Sequence, residues 1–262
     1  MYSKFKISKS VLQSVCARIP VEIKEEKIGV EYYDILKKAL VPNKDNPYLD
    51  GDTIKEWCFP RNDKTYDVFI SHSFADYQDA YRLKNLIESR YGLSCFVDSQ
   101  VWHNAYNLLG VIDDEFCYQK ESKTYQYKAR NQTTAHVYAM LSIALLEMID
   151  KTECCILLEN SKSKIDFNEL KSNEYTLSPW IYEEVSFMNH IRLQEKLNRT
   201  TSLLESQRKA FSASLTMGHG IETKDFIELS SQDFPYLDQS KHWLDYLYQK
   251  YSKQESLLRD FY

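Results

Sequence analysis

Three short apolar runs with almost no polar interruption constrain this chain more than any other feature: "DVFI" from Asp67 to Ile70, "LSCFVD" from Leu93 to Asp98, and "ECCILL" from Glu153 to Leu158. A strand with one wet face alternates apolar and polar residues, whereas a short continuous run bounded by turn residues belongs to a strand covered on both faces. The segments between the runs have helical spacing. "DAYRLKNLIESRYG" puts Ala80, Leu83, Leu86 and Ile87 on one face and stops at Gly92. "NAYNLLGVIDDEFC" carries a stripe of Leu108, Ile112 and Phe116, and a polar loop, "YQKESKTYQYKARNQ", leads to an apolar helix expected to start near Thr133 or Thr134. Strand and helix in alternation, with buried strands, predict an α/β fold: a parallel sheet flanked by helices.

Ligands of such sheets sit at the carboxyl ends of the strands. That rule places Ser71-His72-Ser73, Asp98-Ser99 and the loop after Leu158 on one edge. Ser178 and Pro179 supply an N-cap and a first-turn proline for "WIYEEVSFMNHIRLQEKL", with Ile181, Val185 and Met188 facing inward. "DFIELS" reads as a last strand, and "SKHWLDYLYQKYSKQESLLRDFY" as a closing helix that buries Trp243, Leu244 and Leu247. Before about Asp63 the pattern changes. Amphipathic segments from Ser8 to Arg18 and from Gly29 to Leu40 alternate with turn-rich stretches, so residues 1–64 are expected to be an N-terminal helical extension around a main domain of residues 65–262.

The formal charge of −5 over 262 residues comes from interspersed acids and bases, which leaves no electrostatic footprint for nucleic acid or an anionic membrane. The greasiest stretch, "AHVYAMLSIALLEMI", is too short to span a bilayer and contains His136 and Glu147, and "MYSKFKISKSVLQSVCARIP" has no secretory pattern. Cys16, Cys58, Cys95, Cys117, Cys154 and Cys155 show neither CxxC spacing nor nearby histidines at ligand distance, so buried, reduced thiols in a cytoplasmic protein are expected, without a metal site. The turn after "DVFI" contains no glycine, which argues against a dinucleotide-binding or P-loop turn. A serine hydrolase built on "SHS" is also disfavoured. The chain lacks a GxSxG elbow, and neighbouring strand residues point to opposite faces.

The stretches "YDVFISHSFAD", "GLSCFVDSQVW" and "SPWIYEEV", in that order, resemble the first strand and loop, the second strand and loop, and the third major helix of a TIR (Toll/interleukin-1 receptor-like) domain, over roughly Tyr66 to Arg192. With Phe59-Pro60 and "RNQTTAHVYAMLSIAL" they are similar to a bacterial branch that includes the signalling subunits of antiphage systems such as Thoeris. The resemblance implies a flavodoxin-like sheet of about five strands and, as in the enzymatic members, cleavage of NAD+ between nicotinamide and ribose. NAD+ would be a substrate, and no cofactor is implied. Those members use the glutamate of a Trp-x-x-x-Glu pattern, here Trp180 to Glu184, so the catalytic role falls on Glu184.

The pyridinium of NAD+ is already a cationic leaving group, so one carboxylate near the ribose can stabilise the oxocarbenium-like transition state without acid or metal. Glu183, about 100° further round the helix, should face elsewhere. His72, Ser73 and Phe74 follow the first strand where nucleotide is contacted in the enzymatic members, and they read equally as a strand cap. Phe96 and Trp102 flank Asp98 as an aromatic wall or as core, and His136 is either a group near the substrate or part of a helix cap. The implied partners are further copies of the chain, a phage protein as trigger, and an effector answering a nucleotide product. The alternative is a non-enzymatic TIR module that uses the same loops for protein contacts. A weaker third reading is a nucleoside transferase.

Overall fold

The computed structural model describes residues 3–20, 32–42, 48–59, 65–102, 105–159, 175–176, 178–191, 219–237 and 242–259. Strands β1 (Ser3–Ser8), β2 (Val68–Ser71), β3 (Cys95–Phe96), β4 (Cys154–Glu159) and β5 (Ile227–Leu229) form one parallel sheet in the order β5-β1-β4-β2-β3. Counted from β2, this is the 2-1-3-4-5 order of a flavodoxin-like sheet, with the fourth place taken by the N-terminal strand. The three apolar runs are its central and edge strands. β2 is buried along its whole length, and β4 along all but its last residue.

Alternation splits the strands between two cores. Phe69, Phe96, Cys155 and Leu157 face helices α2 (Tyr32–Ala39), α3 (Gly51–Cys58), α6 (Ala105–Phe116), α7 (Tyr127–Lys151) and α8 (Pro179–His190). Phe5, Ile7, Val68, Ile70, Cys95, Cys154 and Ile156 face α1 (Lys9–Cys16), α4 (Tyr77–Tyr91) and α9 (Trp243–Arg259). Helix α4 stops at Gly92, whose φ of 67° is the left-handed conformation that glycine adopts without strain. Ser178 caps α8 by accepting from the Ile181 amide, and Pro179 occupies its first turn. All six cysteines are buried, and none forms a disulfide.

The expected division at residue 64 is corrected within the sheet itself. "SKFKIS" is not part of a helical extension; it is β1, paired in parallel with β4 on one side and β5 on the other. Its lysines disguise it. Lys4 Nζ reaches Asn189 Oδ1 at 2.7 Å and lies over the Phe226 ring, and Lys6 Nζ pairs with Glu159 at 3.3 Å, so the stems cover apolar surface while Phe5 and Ile7 fill the other face.

Two smaller expectations also change. Helix α7 begins at Tyr127, inside the presumed loop, because Asp113 of α6 accepts from Arg130 Nε at 2.8 Å and Thr133 Oγ1 at 2.6 Å and ties the polar first turns down. What remains of the loop is a hairpin pairing Tyr118–Gln119 with Thr124–Tyr125. Phe116 does not complete the α6 stripe and is 45% exposed. Among the described residues, no helix is long and apolar enough to cross a membrane.

Candidate functional site

Adjacent parallel strands whose following helices pass to opposite faces leave a crevice at their carboxyl ends. β2 leads to α4 on one face, and α8, which follows β4 along the chain, lies on the other. Ser71, the last residue of β2, shares its face with Phe69 and so points toward α8; it stands in register with Leu157 of β4. From α8 comes Glu184, one turn beyond Trp180.

Ser71 Oγ donates to Glu184 Oε2 at 2.5 Å, and the two residues are 1% and 2% exposed. Among the described residues the Glu184 carboxyl is bonded to a hydroxyl and not to a lysine or arginine. Burial pushes its pKa well above the ordinary value, the negative charge of Asp98 adds to this, and the Ser71 hydrogen bond opposes both. Glu183 turns away as helical geometry requires, accepting from Ser142 Oγ of α7 at 2.6 Å.

His72 continues the alternation and points to the opposite face. Its Nε2 lies 3.0 Å from Ser99 Oγ, and its Nδ1 lies 3.6 Å from Asp98 Oδ1. Asp98 and Ser99 open the single turn α5 (Asp98–Val101) directly after β3, and the Ser99 amide donates to Asp98 Oδ1 at 2.7 Å. Tyr81 of α4 brings its hydroxyl to the Ser99 side chain; burial is the main reason its pKa is raised. Two buried nitrogens here have no hydrogen-bond partner among the described residues, Nδ1 of His72 and Nε1 of Trp102, and buried polar groups are left over in this way only rarely.

The structure thus gathers His72, Asp98 and Glu184, with Ser71, Ser99 and Tyr81 around them. The other expected residues divide. Ser73 donates to the Asp76 carboxylate, which also pairs with Lys9 of α1 at 3.5 Å, so its hydroxyl is spent within the turn after β2 and does not bond Glu184. That turn borders a small pocket at the ends of β1 and β4, lined by Ile7, Lys9, Leu12, Asp76, Asp79, Leu158 and Glu159. The side chain of Phe74 lies outside the described residues. Phe96 is corrected from wall to core: fully buried, it stacks on Phe69 at 5.5 Å and meets Tyr66 edge-on at 5.3 Å. Trp102 packs on Phe96 at 5.0 Å and on Phe59 at 5.7 Å, with 9% of its surface exposed.

His136 is not in a cap. It lies inside α7, exposed, with no contact to the cluster among the described residues. Trp180 is half-buried and packs edge-on against Tyr138 at 5.3 Å and Tyr106 at 6.4 Å. Trp180 was expected from its Trp-x-x-x-Glu pattern, but its grouping with Tyr106 and Tyr138 was not, because the three come from separate helices and the two tyrosines belong to no recognisable motif. Ser99 was placed on this edge without a role of its own, and Tyr81 was missed. Ser99 looked like an ordinary strand-end residue, and Tyr81 lies beside the apolar stripe of α4.

No family model, curated protein or solved structure matches the chain.

Proposed function

We propose that the protein cleaves NAD+ between nicotinamide and ribose, with Glu184 facing the anomeric carbon. The observation that carries this reading is a fully buried carboxyl group at the carboxyl edge of the central strands, held by a hydroxyl and, among the described residues, lacking a cationic partner. A buried carboxyl without a counter-charge is costly as an anion and keeps its proton. A ligand that brings positive charge into the crevice reverses that balance, and the pyridinium ring of NAD+ brings one. As the glycosidic bond lengthens, the charge passes to the ribose, where a carboxylate held by Ser71 stabilises it in a site largely closed to water. Asp98, one-third exposed, can hold the ribose hydroxyls from the β3 side. The role of the product as a signal to an effector in antiphage defence, and the action of several copies together, follow from the motif resemblance.

The test is to incubate the purified chain with NAD+, at high protein concentration and with phage-infected cell extract, and to follow nicotinamide by chromatography. The expected result is release by wild type and its loss in Glu184→Gln. Release that survives Glu184→Gln removes this residue from the mechanism. Persistent NAD+ in every sample, with self-association intact, favours an interaction module.

A further inference from the structure

His72 has a serine on each side in the chain, yet neither reaches its ring. Ser71 bonds Glu184 and Ser73 bonds Asp76. The serine that does reach it comes from the end of the neighbouring strand. Ser99 Oγ, His72 Nε2 and Nδ1, and Asp98 Oδ1 follow one another at 3.0 Å and 3.6 Å, so hydroxyl, imidazole and carboxylate stand in the order of an activated serine. The histidine side chain is 2% exposed, and among the described residues its Nδ1 has no hydrogen-bond partner and lies 3.6 Å from Asp98 Oδ1. That carboxylate is fixed by the Ser99 amide. A proton on Nδ1 therefore lies toward negative charge and leaves the Nε2 lone pair toward Ser99. Ser99 itself is exposed, and its side chain also interacts with the Tyr81 hydroxyl.

We propose that Ser99 is a nucleophile, with His72 as its base and Asp98 orienting the ring, and that it accepts the ADP-ribosyl group freed beside Glu184. The acceptor role rests on the reading of the site as one that cleaves NAD+. Asp98 links the two centres: its charge acts on the Glu184 carboxyl, and its Oδ1 lies 3.6 Å from His72 Nδ1. In the transfer, the bond from the ribose anomeric carbon to the pyridinium nitrogen breaks and its electron pair leaves with neutral nicotinamide. A bond forms from Ser99 Oγ to the anomeric carbon. The hydroxyl proton moves to His72 Nε2, and the resulting imidazolium is stabilised by Asp98 until the proton passes to solvent. Nothing is oxidised or reduced, and the product is the chain carrying one ADP-ribosyl group at Ser99.

The experiment has two arms on the full chain. In the first, protein is incubated with NAD+, nicotinamide is measured, and Ser99 is examined by intact-mass and peptide mass spectrometry. In the second, protein is treated with an alkyl fluorophosphonate, which needs no NAD+: Oγ bonds phosphorus, fluoride leaves, and His72 takes the proton. Ser99 is expected to carry ADP-ribose in the first arm and phosphonate in the second. Glu184→Gln should abolish the first modification and keep the second, and His72→Gln should slow both by about 100-fold or more. Nicotinamide release with Ser99 unmodified overturns the acceptor role and leaves the cleavage reading standing. Phosphonate on Ser99 without nicotinamide release overturns the cleavage reading and the transfer with it. No phosphonate on Ser99 of wild type overturns its activation.

Discussion

Ser71 Oγ and Glu184 Oε2 lie 2.5 Å apart although 113 residues separate them in the chain. The contact joins the end of a central strand to the helix on one face of the sheet. It also fixes which way a buried carboxyl points, since the side chain of Glu184 has no other hydrogen-bond donor among the described residues. If the carboxylate acts on the ribose, Ser71 acts through it as a positioning residue.

Ser71→Ala is expected to lower kcat for nicotinamide release and leave KM nearly unchanged. A hydrogen bond to a charged group contributes roughly 1.5–3 kcal/mol, which corresponds to a fall of about 10- to 100-fold. Steady-state kinetics checks it. A variant within about twofold of wild-type kcat would show that the hydroxyl does not orient the reacting carboxylate.

Glu184→Gln should stabilise the fold above neutrality. Burial raises the folded pKa of this carboxyl above its unfolded value, so between the two the folded state holds the proton more tightly. Its contribution is therefore complete below the unfolded pKa of about 4.3 and is lost as pH rises through the folded one. Glutamine never ionises and loses nothing. Each pH unit between the two pKa values corresponds to about 1.4 kcal/mol, and 1 kcal/mol moves Tm by about 2–4 °C in a chain of this size. Melting curves should show the variant several degrees higher at alkaline pH and level with wild type below about pH 4. A variant that melts lower than wild type at alkaline pH would mean that the carboxylate is stabilised in the folded state.

The sheet was legible where strands were apolar throughout, as in β2 and β4, because a two-sided burial pattern needs no knowledge of partners. β1 was not, since Lys4 and Lys6 look solvated until Asn189, Phe226 and Glu159 arrive from far along the chain. The start of α7 was hidden likewise, in two bonds to Asp113. In the site, the carboxyl-edge rule grouped His72, Asp98 and Ser99, and helix spacing separated Glu183 from Glu184. The pairing of His72 with Ser99 was out of reach because it depends on the register of β2 beside β3, which periodicity does not reveal.

Trp180 tests whether the aromatic group of α6, α7 and α8 holds substrate. It lies one turn before Glu184 and is only half-buried against Tyr138 and Tyr106. A stacked aromatic ring contributes about 0.5–1.5 kcal/mol, so Trp180→Ala is expected to raise the KM for NAD+ by up to about 10-fold, with Trp180→Phe recovering most of the affinity. Equal stability loss in the two variants without any change in KM would assign Trp180 to packing alone.

Phe5→Ala tests the corrected place of the N-terminal strand. Phe5 is fully buried, pairs in register with Ile156 of β4 and Ile227 of β5, and meets the Tyr251 ring at 6.3 Å. Removing a buried phenyl ring costs about 3–5 kcal/mol, because the sheet and α9 cannot close fully over the gap. A helical extension lying outside the core would lose far less, typically under about 0.5 kcal/mol for a surface change. Denaturant unfolding of the full chain, compared with a surface control such as Ser14→Ala, separates the two. A large drop in midpoint for Phe5→Ala alone makes β1 an integral strand, and since β1 borders β4, NAD+ turnover should fall as the folded fraction falls.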